Sequence, residues 1–437
     1  MEDEEIRGLL HATYKGDGLD PTVVHGALEQ HPRGPRRRLT TTLVAAAAAI
    51  VVAVPISAGV LLRAGVIGDS SQPTMSVLDL KMFSATDGWA WSGGNDILHT
   101  TSGVQHWTVV PPPIGPKAIV EVAWVNAESA RILATSTGAL NNVEQNYSLT
   151  AWMTDDGGAT WTDGQPFTVL LETGQDPMTQ SNLDFVDPLH GWFFDAQDGA
   201  VGAPMLIFRT VDGGIRWSQV EMTPATGTAP RGALPVGCGA YGITFLNTST
   251  GWVAGQCSGL ATLFDVTHDG GATWAPQAID CIQCLFYPPQ FTSSRDGQMF
   301  GENGVGILFV TSDGGRTWTR RAEPTGNTPD FADASHGFTL GLTGNDNPST
   351  VLWLTADGGA TWSQATNGAI HGDGPAETAQ LDFITPRIGW AVSVWFGNRG
   401  LLTNGQTPYP TPPPTLWQTT EAGSTWTLVT PTFTTSR

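Results

Sequence analysis

An eight-residue pattern, Thr-x-Asp-Gly-Gly-x-(Thr/Arg)-Trp, recurs along this chain at a spacing that few architectures can use. Full copies run from Thr154 to Trp161, Thr210 to Trp217, Thr267 to Trp274, Thr311 to Trp318 and Thr355 to Trp362, and carry Asp156, Asp212, Asp269, Asp313 and Asp357. Two altered copies flank them: Thr100 to Trp107 has Ser102 at the Asp position, and Thr419 to Trp426 has Glu421 there. These residue types predict a tight β-turn that closes a hairpin. Asp folds its carboxylate back onto N–H groups of its own turn, and paired Gly supplies the positive φ that other residues resist. Trp at the fixed offset sets a large apolar plate at the start of the next strand, where it packs between neighbouring units while its indole N–H finds an acceptor. Turn chemistry accounts for the repeated Asp without a catalytic role.

A second signal keeps step with the first. Gly88-Trp89, Gly191-Trp192, Gly251-Trp252, Gly337-Phe338 and Gly389-Trp390 each precede the final Trp of their unit, and Gly297-Gln298 is a degraded copy. Short apolar runs lie on either side of each pair, such as Leu183 to Val186 and Met205 to Phe208. Each unit therefore reads strand, turn, strand, loop, strand, Asp turn, strand. Successive final Trp residues lie 54, 56, 57, 44, 44 and 64 positions apart. Four strands per unit at that period predict an all-β, seven-bladed β-propeller of four-stranded antiparallel blades, in which radial repetition protects the strand edges.

Composition bears on the surroundings. With 53 Gly, 30 Pro and 14% charged residues in 437, the chain is turn-rich and globular. Its formal charge is −20, and residues 64–437 hold 33 acids against 13 bases. That balance disfavours nucleic acid and anionic lipid as partners of the propeller. Residues 39–62 carry no charge, and Arg33, Arg36, Arg37 and Arg38 precede them. As a helix they span about 36 Å, enough for a hydrocarbon core of about 30 Å. The basic flank places the N-terminus in the cytoplasm and the propeller outside. A cleaved signal peptide fits less well, because its apolar core is usually about 7–15 residues long. The expected organisation is a cytoplasmic tail (1–38), one N-terminal transmembrane α-helix (39–62), a linker (63–75), the propeller (76–428) and a C-terminal tail (429–437).

The repeats resemble the Asp-box, or bacterial neuraminidase, repeats of sialidases and of many non-enzymatic propellers. The fuller blade pattern is similar to that of the photosystem II stability and assembly factor type and of the sorting-receptor propellers. The resemblance covers residues 76–428 and implies a propeller; family members include hydrolases, assembly chaperones and receptors, so it does not choose an activity. The sialidase site implied by the family needs an arginine triad, a Tyr nucleophile with its Glu, an Asp acid and a Phe/Tyr-Arg-Ile-Pro motif. Phe208-Arg209 is followed by Thr210, and Arg231 and Arg399 are the arginines mapping to the face opposite the Asp turns. An anionic substrate needs convergent cations, which this domain does not promise. A neutral-glycan hydrolase needs two carboxylates about 5–10 Å apart. Asp195, Asp198, Asp346, Asp373 and Glu377 supply the atoms in loops of that face, but no spacing pairs them.

Cys238, Cys257, Cys281 and Cys284 all fall in or beside the fourth unit. Outside the cytoplasm an even number reads first as disulfides. Of three connectivities, the turn at Asn247 to Thr250 favours Cys238 with Cys257, leaving Cys281 with Cys284. A redox pair and a four-thiolate zinc site are the alternatives. His190, His268 and His336 follow the repeat and suggest no metal site, and no cofactor motif stands out. The seventh unit carries a long loop, Trp395 to Thr415, rich in proline and aromatic residues. Such a loop on a rigid scaffold is a common seat of binding. Trp395, Arg399 and Tyr409, with His371 and Asp373 of the preceding loop, are the ligand-binding candidates. The leading functional expectation is a non-enzymatic scaffold for an extracytoplasmic protein or glycan. The alternatives are an extracytoplasmic glycoside hydrolase and a transmembrane sensor acting through residues 1–38.

Overall fold

The computed structural model describes residues 77–135, 146–170, 180–196, 202, 204–224, 227–343, 349–369, 378–394 and 414–435. They form an all-β, seven-bladed propeller whose blades are antiparallel sheets of four strands in chain order. Blade three is representative, with strands Gln180–Phe185, Gly191–Ala196, Met205–Thr210 and Ser218–Met222. Among the described residues no helix is long and apolar enough to cross a membrane. Residues 39–62 lie outside those described.

Each Gly-Trp pair has a steric origin distinct from that of the Asp turns. A Cβ on Gly251 would lie 2.4 Å from the Phe245 ring, which crosses the start of the second strand. The residue after the Gly then reaches across to the next blade. Trp192 of blade three stacks on Phe245 of blade four at 3.6 Å between ring centroids, and Phe338 of blade six stacks on Phe383 of blade seven at the same distance. Trp89 stacks on Trp124 at 5.7 Å and Trp252 on Phe291 at 5.1 Å. Such pairs contribute about 0.5–1.5 kcal/mol each beyond the area they bury. Blade two has no Gly-Trp pair, and Arg131 takes the position instead. Its guanidinium lies 5.9 Å from the Phe185 ring and donates to the Thr154, Ala130 and Pro188 carbonyls.

Three departures from the sequence reading have physical causes. Residues Thr432–Thr435, expected in a tail, form a strand parallel to His106–Val109, a fifth strand on blade one that ties the chain's end back to its first blade. The first strand of blade five is split into Leu285–Phe286 and Gln290–Phe291, with Pro288 and Pro289 between them. Proline has no N–H to give to a ladder. The indole N–H groups of the final Trp residues also differ. Those of Trp107, Trp161 and Trp362 donate to carbonyls. Those of Trp217, Trp274, Trp318 and Trp426 have no partner among the described residues. For these four, apolar packing outweighs the hydrogen bond.

The first strands of neighbouring blades lie against one another around the ring axis and are joined by side chains that imitate a ladder. Phe245 N donates to Asp184 Oδ2, Phe383 N to Asp330 Oδ2 and Met82 N to Asp382 Oδ2, each at 2.6 Å. Asn182 both accepts from Ile243 N and donates to Ile243 O at 3.0 Å.

Candidate functional site

The Asp turns are closed networks. In blade six, Thr355 Oγ1 donates to Asp357 Oδ1 at 2.8 Å and accepts from Gly359 N at 2.9 Å. Thr361 donates its backbone N–H to Asp357 Oδ1 and its hydroxyl to Oδ2, at 2.8 and 2.6 Å. Gly358 and Gly359 have φ of 68° and 84°. The donations from Thr361 hold the Asp357 carboxyl at about 2, and those from Thr317 hold Asp313 there too. A carboxylate so occupied is a poor general base. The Thr is the buried member of the motif: Thr355 is 2% exposed. Glu421 reaches Thr425 Oγ1 with its longer side chain at 2.9 Å.

His371, Asp373, Trp395, Arg399 and Tyr409 lie outside the described residues, as do Asp198, Asp346 and Glu377. Asp195 is described, and it is not a loop residue. It sits in the second strand of blade three, fully buried, and accepts from the Tyr147 hydroxyl at 2.8 Å. His190 and His336 face Asp187 and Asp333 within their own first turns, at 2.9 and 3.0 Å. Among the described residues no three His, Cys, Asp or Glu side chains converge in a way that could hold a metal.

On the face opposite the Asp turns, the loops of blades four and five form a cluster that the sequence reading reached only through its cysteines. Cys238 is bonded to Cys257 across the first two strands of blade four, and Cys281 to Cys284 in the connection to blade five. Cys284 N donates to Thr262 Oγ1 at 3.2 Å, and Asn303 Nδ2 to Ile282 O at 2.9 Å, so three loops are tied together. From them project Leu260, Ile282 and Val305, which are 48%, 83% and 66% exposed. Leu260 and Gln283 hold positive φ, of 67° and 59°, which costs about 1–3 kcal/mol for a non-Gly residue and persists only where surroundings impose it.

Beneath this cluster Tyr287 donates to Glu302 Oε1 at 3.2 Å, and the Tyr241 ring lies 5.2 Å from that of Tyr287. A Tyr–Glu pair invites comparison with a glycosidase nucleophile. The chemistry runs the other way: burial, and then the charge of Glu302, raise the Tyr287 hydroxyl above its ordinary range. Burial raises the Glu302 carboxyl as well. Its own burial and the Glu302 charge keep the phenol protonated.

The axis carboxylates are committed to backbone N–H groups of neighbouring blades. Burial lifts Asp184 to about 7. Burial and the neighbouring Asp382 lift Asp330 to about 7, against the opposing charge of Lys81. Lys81 Nζ lies 2.6 Å from Asp382 Oδ1. Each of these three Asp side chains holds a backbone N–H of the adjoining blade.

No protein-family model matches the chain, and no curated protein does. Among solved structures it is similar to YCF48 from Cyanidioschyzon merolae, at 14% identity over 74% of this chain and 94% of that one, with a TM-score of 0.45. The GH74 xyloglucanase from Xanthomonas campestris is 15% identical over 80% of this chain and 55% of its own, with a TM-score of 0.48. A prolyl endopeptidase is 11% identical over 94% of this chain and 54% of its own, with a TM-score of 0.51. The chain thus spans about half the length of those two enzymes. Likeness at such identities concerns the propeller fold alone, and leaves activity to the residues of the site.

Proposed function

We propose that the protein is a non-enzymatic binding scaffold of the Asp-box propeller type, anchored through residues 39–62 and presenting its propeller outside the cytoplasm to a protein partner. The observation that carries this reading is the loop cluster of blades four and five. Three aliphatic side chains stand exposed on loops that two disulfides and cross-loop hydrogen bonds hold in place. A pinned, apolar-tipped surface is suited to docking a protein. The net negative charge of residues 64–437 favours a basic partner.

The test is affinity capture from the native cell envelope with the wild-type chain and an Ile282→Asp/Val305→Asp double variant. The partner retained by the wild type is expected to be lost from the variant. A partner held equally by both removes the blade four and five cluster from the reading, and deletion of 401–414 then tests the seventh-blade loop. Turnover of a neutral glycan by the purified chain would replace the scaffold with a glycoside hydrolase.

A further inference from the structure

The two turns on the Asp-turn face of each blade are locked together in the same way in all seven blades. The N–H of the residue after the Asp position donates to the carbonyl two residues ahead of the second strand at 2.8–2.9 Å, as Gly213 does to Leu189 and Gly358 to Ser335. Three side chains per blade therefore hold matching places: the residue that owns this carbonyl, the one before the Asp and the one after the paired Gly. In blade three they are Leu189, Val211 and Ile215, which are 55%, 57% and 41% exposed. At the first place the other blades carry Thr86, Glu128, Ser249, Arg295, Ser335 and Arg387, and at the other two places only polar residues or alanine.

Six blades build the same pair of turns without a branched aliphatic side chain at any of the three places, so the fold does not call for them. One exposed aliphatic residue is ordinary on a protein surface; three on one locked pair of turns form a patch. The patch is held from below. Leu189 N donates to Asp187 Oδ1 at 2.8 Å, and Gln165 N, from the last strand of blade two, donates to Ile215 O at 2.7 Å. Arg131 Nη2 donates to Pro188 O at 2.8 Å and to Asp155 Oδ1 at 2.9 Å. These bonds also bring the rim charges into place. Asp155, Asp163, Asp187 and Asp212 stand around the patch against Arg131 and Arg216, and Arg131 is buried, so the rim is net negative.

We propose that the blade-three tip docks a basic amphipathic helix of a partner protein. The aliphatic stripe of that helix covers Leu189, Val211 and Ile215, and Lys or Arg beside the stripe meet the carboxylates of the rim. Charge chooses this occupant over two others. A second copy of the chain would bring the same carboxylates against themselves, and an anionic lipid surface would be repelled by them. Turns already locked before binding lose little freedom on docking, which favours affinity. This surface lies on the face opposite Leu260, Ile282 and Val305 and does not depend on them, so the ring can hold two partners at once.

The experiment titrates the full chain, held in nanodiscs of neutral lipid with empty discs as the blank, with two dye-labelled amphipathic helical peptides that share a leucine stripe and differ in lysine or glutamate on the polar face. Fluorescence anisotropy is expected to show the leucine–lysine peptide binding at least about tenfold more tightly than the leucine–glutamate one. Leu189→Ser/Val211→Ala/Ile215→Ala gives blade three the residues that blade six carries at Ser335, Ala356 and Ala360. It should keep Tm and weaken the leucine–lysine peptide by at least about tenfold. Asp163→Lys, on the rim and away from the apolar tip, should weaken that peptide about threefold and spare the leucine–glutamate one. Equal binding of the two peptides, or an affinity for the leucine–lysine peptide unchanged in both variants, would overturn the proposal. Self-association of the wild type that the triple variant loses would assign the patch to a second copy instead, and flotation of the wild type but not the triple variant with phosphatidylcholine vesicles would assign it to a membrane; either result overturns the partner helix.

Discussion

Asp184→Asn isolates the cost of holding a carboxyl group at the ring axis. Asp184 Oδ2 accepts from Phe245 N at 2.6 Å, and burial lifts the carboxyl from 3.8 to about 7. A folded-state value above the unfolded one means that the folded chain binds the proton more tightly between them. The stability it supplies is complete below 3.8 and is lost as pH rises through about 7. That interval corresponds to at most about 4 kcal/mol at 1.36 kcal/mol per pH unit. Asp184 is only half-buried, and water reaching it lowers the figure to about 2–4 kcal/mol. Unfolding about 360 residues at about 2.1 cal/mol/K each converts this to about 3–5 °C in Tm. The Asn amide oxygen still accepts from Phe245 N–H but does not titrate. Thermal unfolding of both proteins by circular dichroism from pH 4.5 to 8.5 should therefore show the variant gaining about 3–5 °C on the wild type across the range. Parallel curves would refute the argument, because they would mean that the carboxyl titrates alike in the folded and unfolded chain.

Three further outcomes follow from single features. Thr355→Val strips the hydroxyl that accepts from Gly359 N and leaves that buried N–H unpaired, so the denaturant midpoint should fall by the equivalent of about 1–3 kcal/mol; no change would mean that water replaces the hydroxyl. Cys238 and Cys257 are separated by 19 residues, so Cys238→Ser/Cys257→Ser should cost about 3 kcal/mol, read as a lower unfolding midpoint under non-reducing conditions. Ending the chain after Val429 removes the Thr432–Thr435 strand from blade one; Tm should drop and proteolysis near His106–Val109 should quicken, and an unaltered digestion pattern would deny that strand a closing role.

The division between what was legible and what was not follows sequence distance. The Asp turn was readable because the Thr355, Asp357, Gly359 and Thr361 hydrogen bonds all close within one octapeptide. A fixed offset of residue types is then a fixed geometry. The count of blades and the order of strands follow from repeating that local unit. The loop face of blades four and five was half legible: cysteine spacing pointed to it, but nothing local marked Ile282 or Val305 as exposed beside one another.

The contacts between blades left no comparable trace. Arg131 standing where other blades have Trp, Asp184 gripping Phe245 N, and the Thr432–Thr435 strand returning to His106–Val109 join residues 54, 61 and more than 300 positions apart. Their partners are set by ring closure and not by neighbours in the chain. Gln298 shows the difference most clearly. As a sequence it is one worn copy of Gly-Trp, a lost side chain. Within the ring Gln298 is buried at the junction with blade six, whose Phe331 is covered without an aromatic ring from that position, and only the packing of one blade on the next decides which side chains cover it.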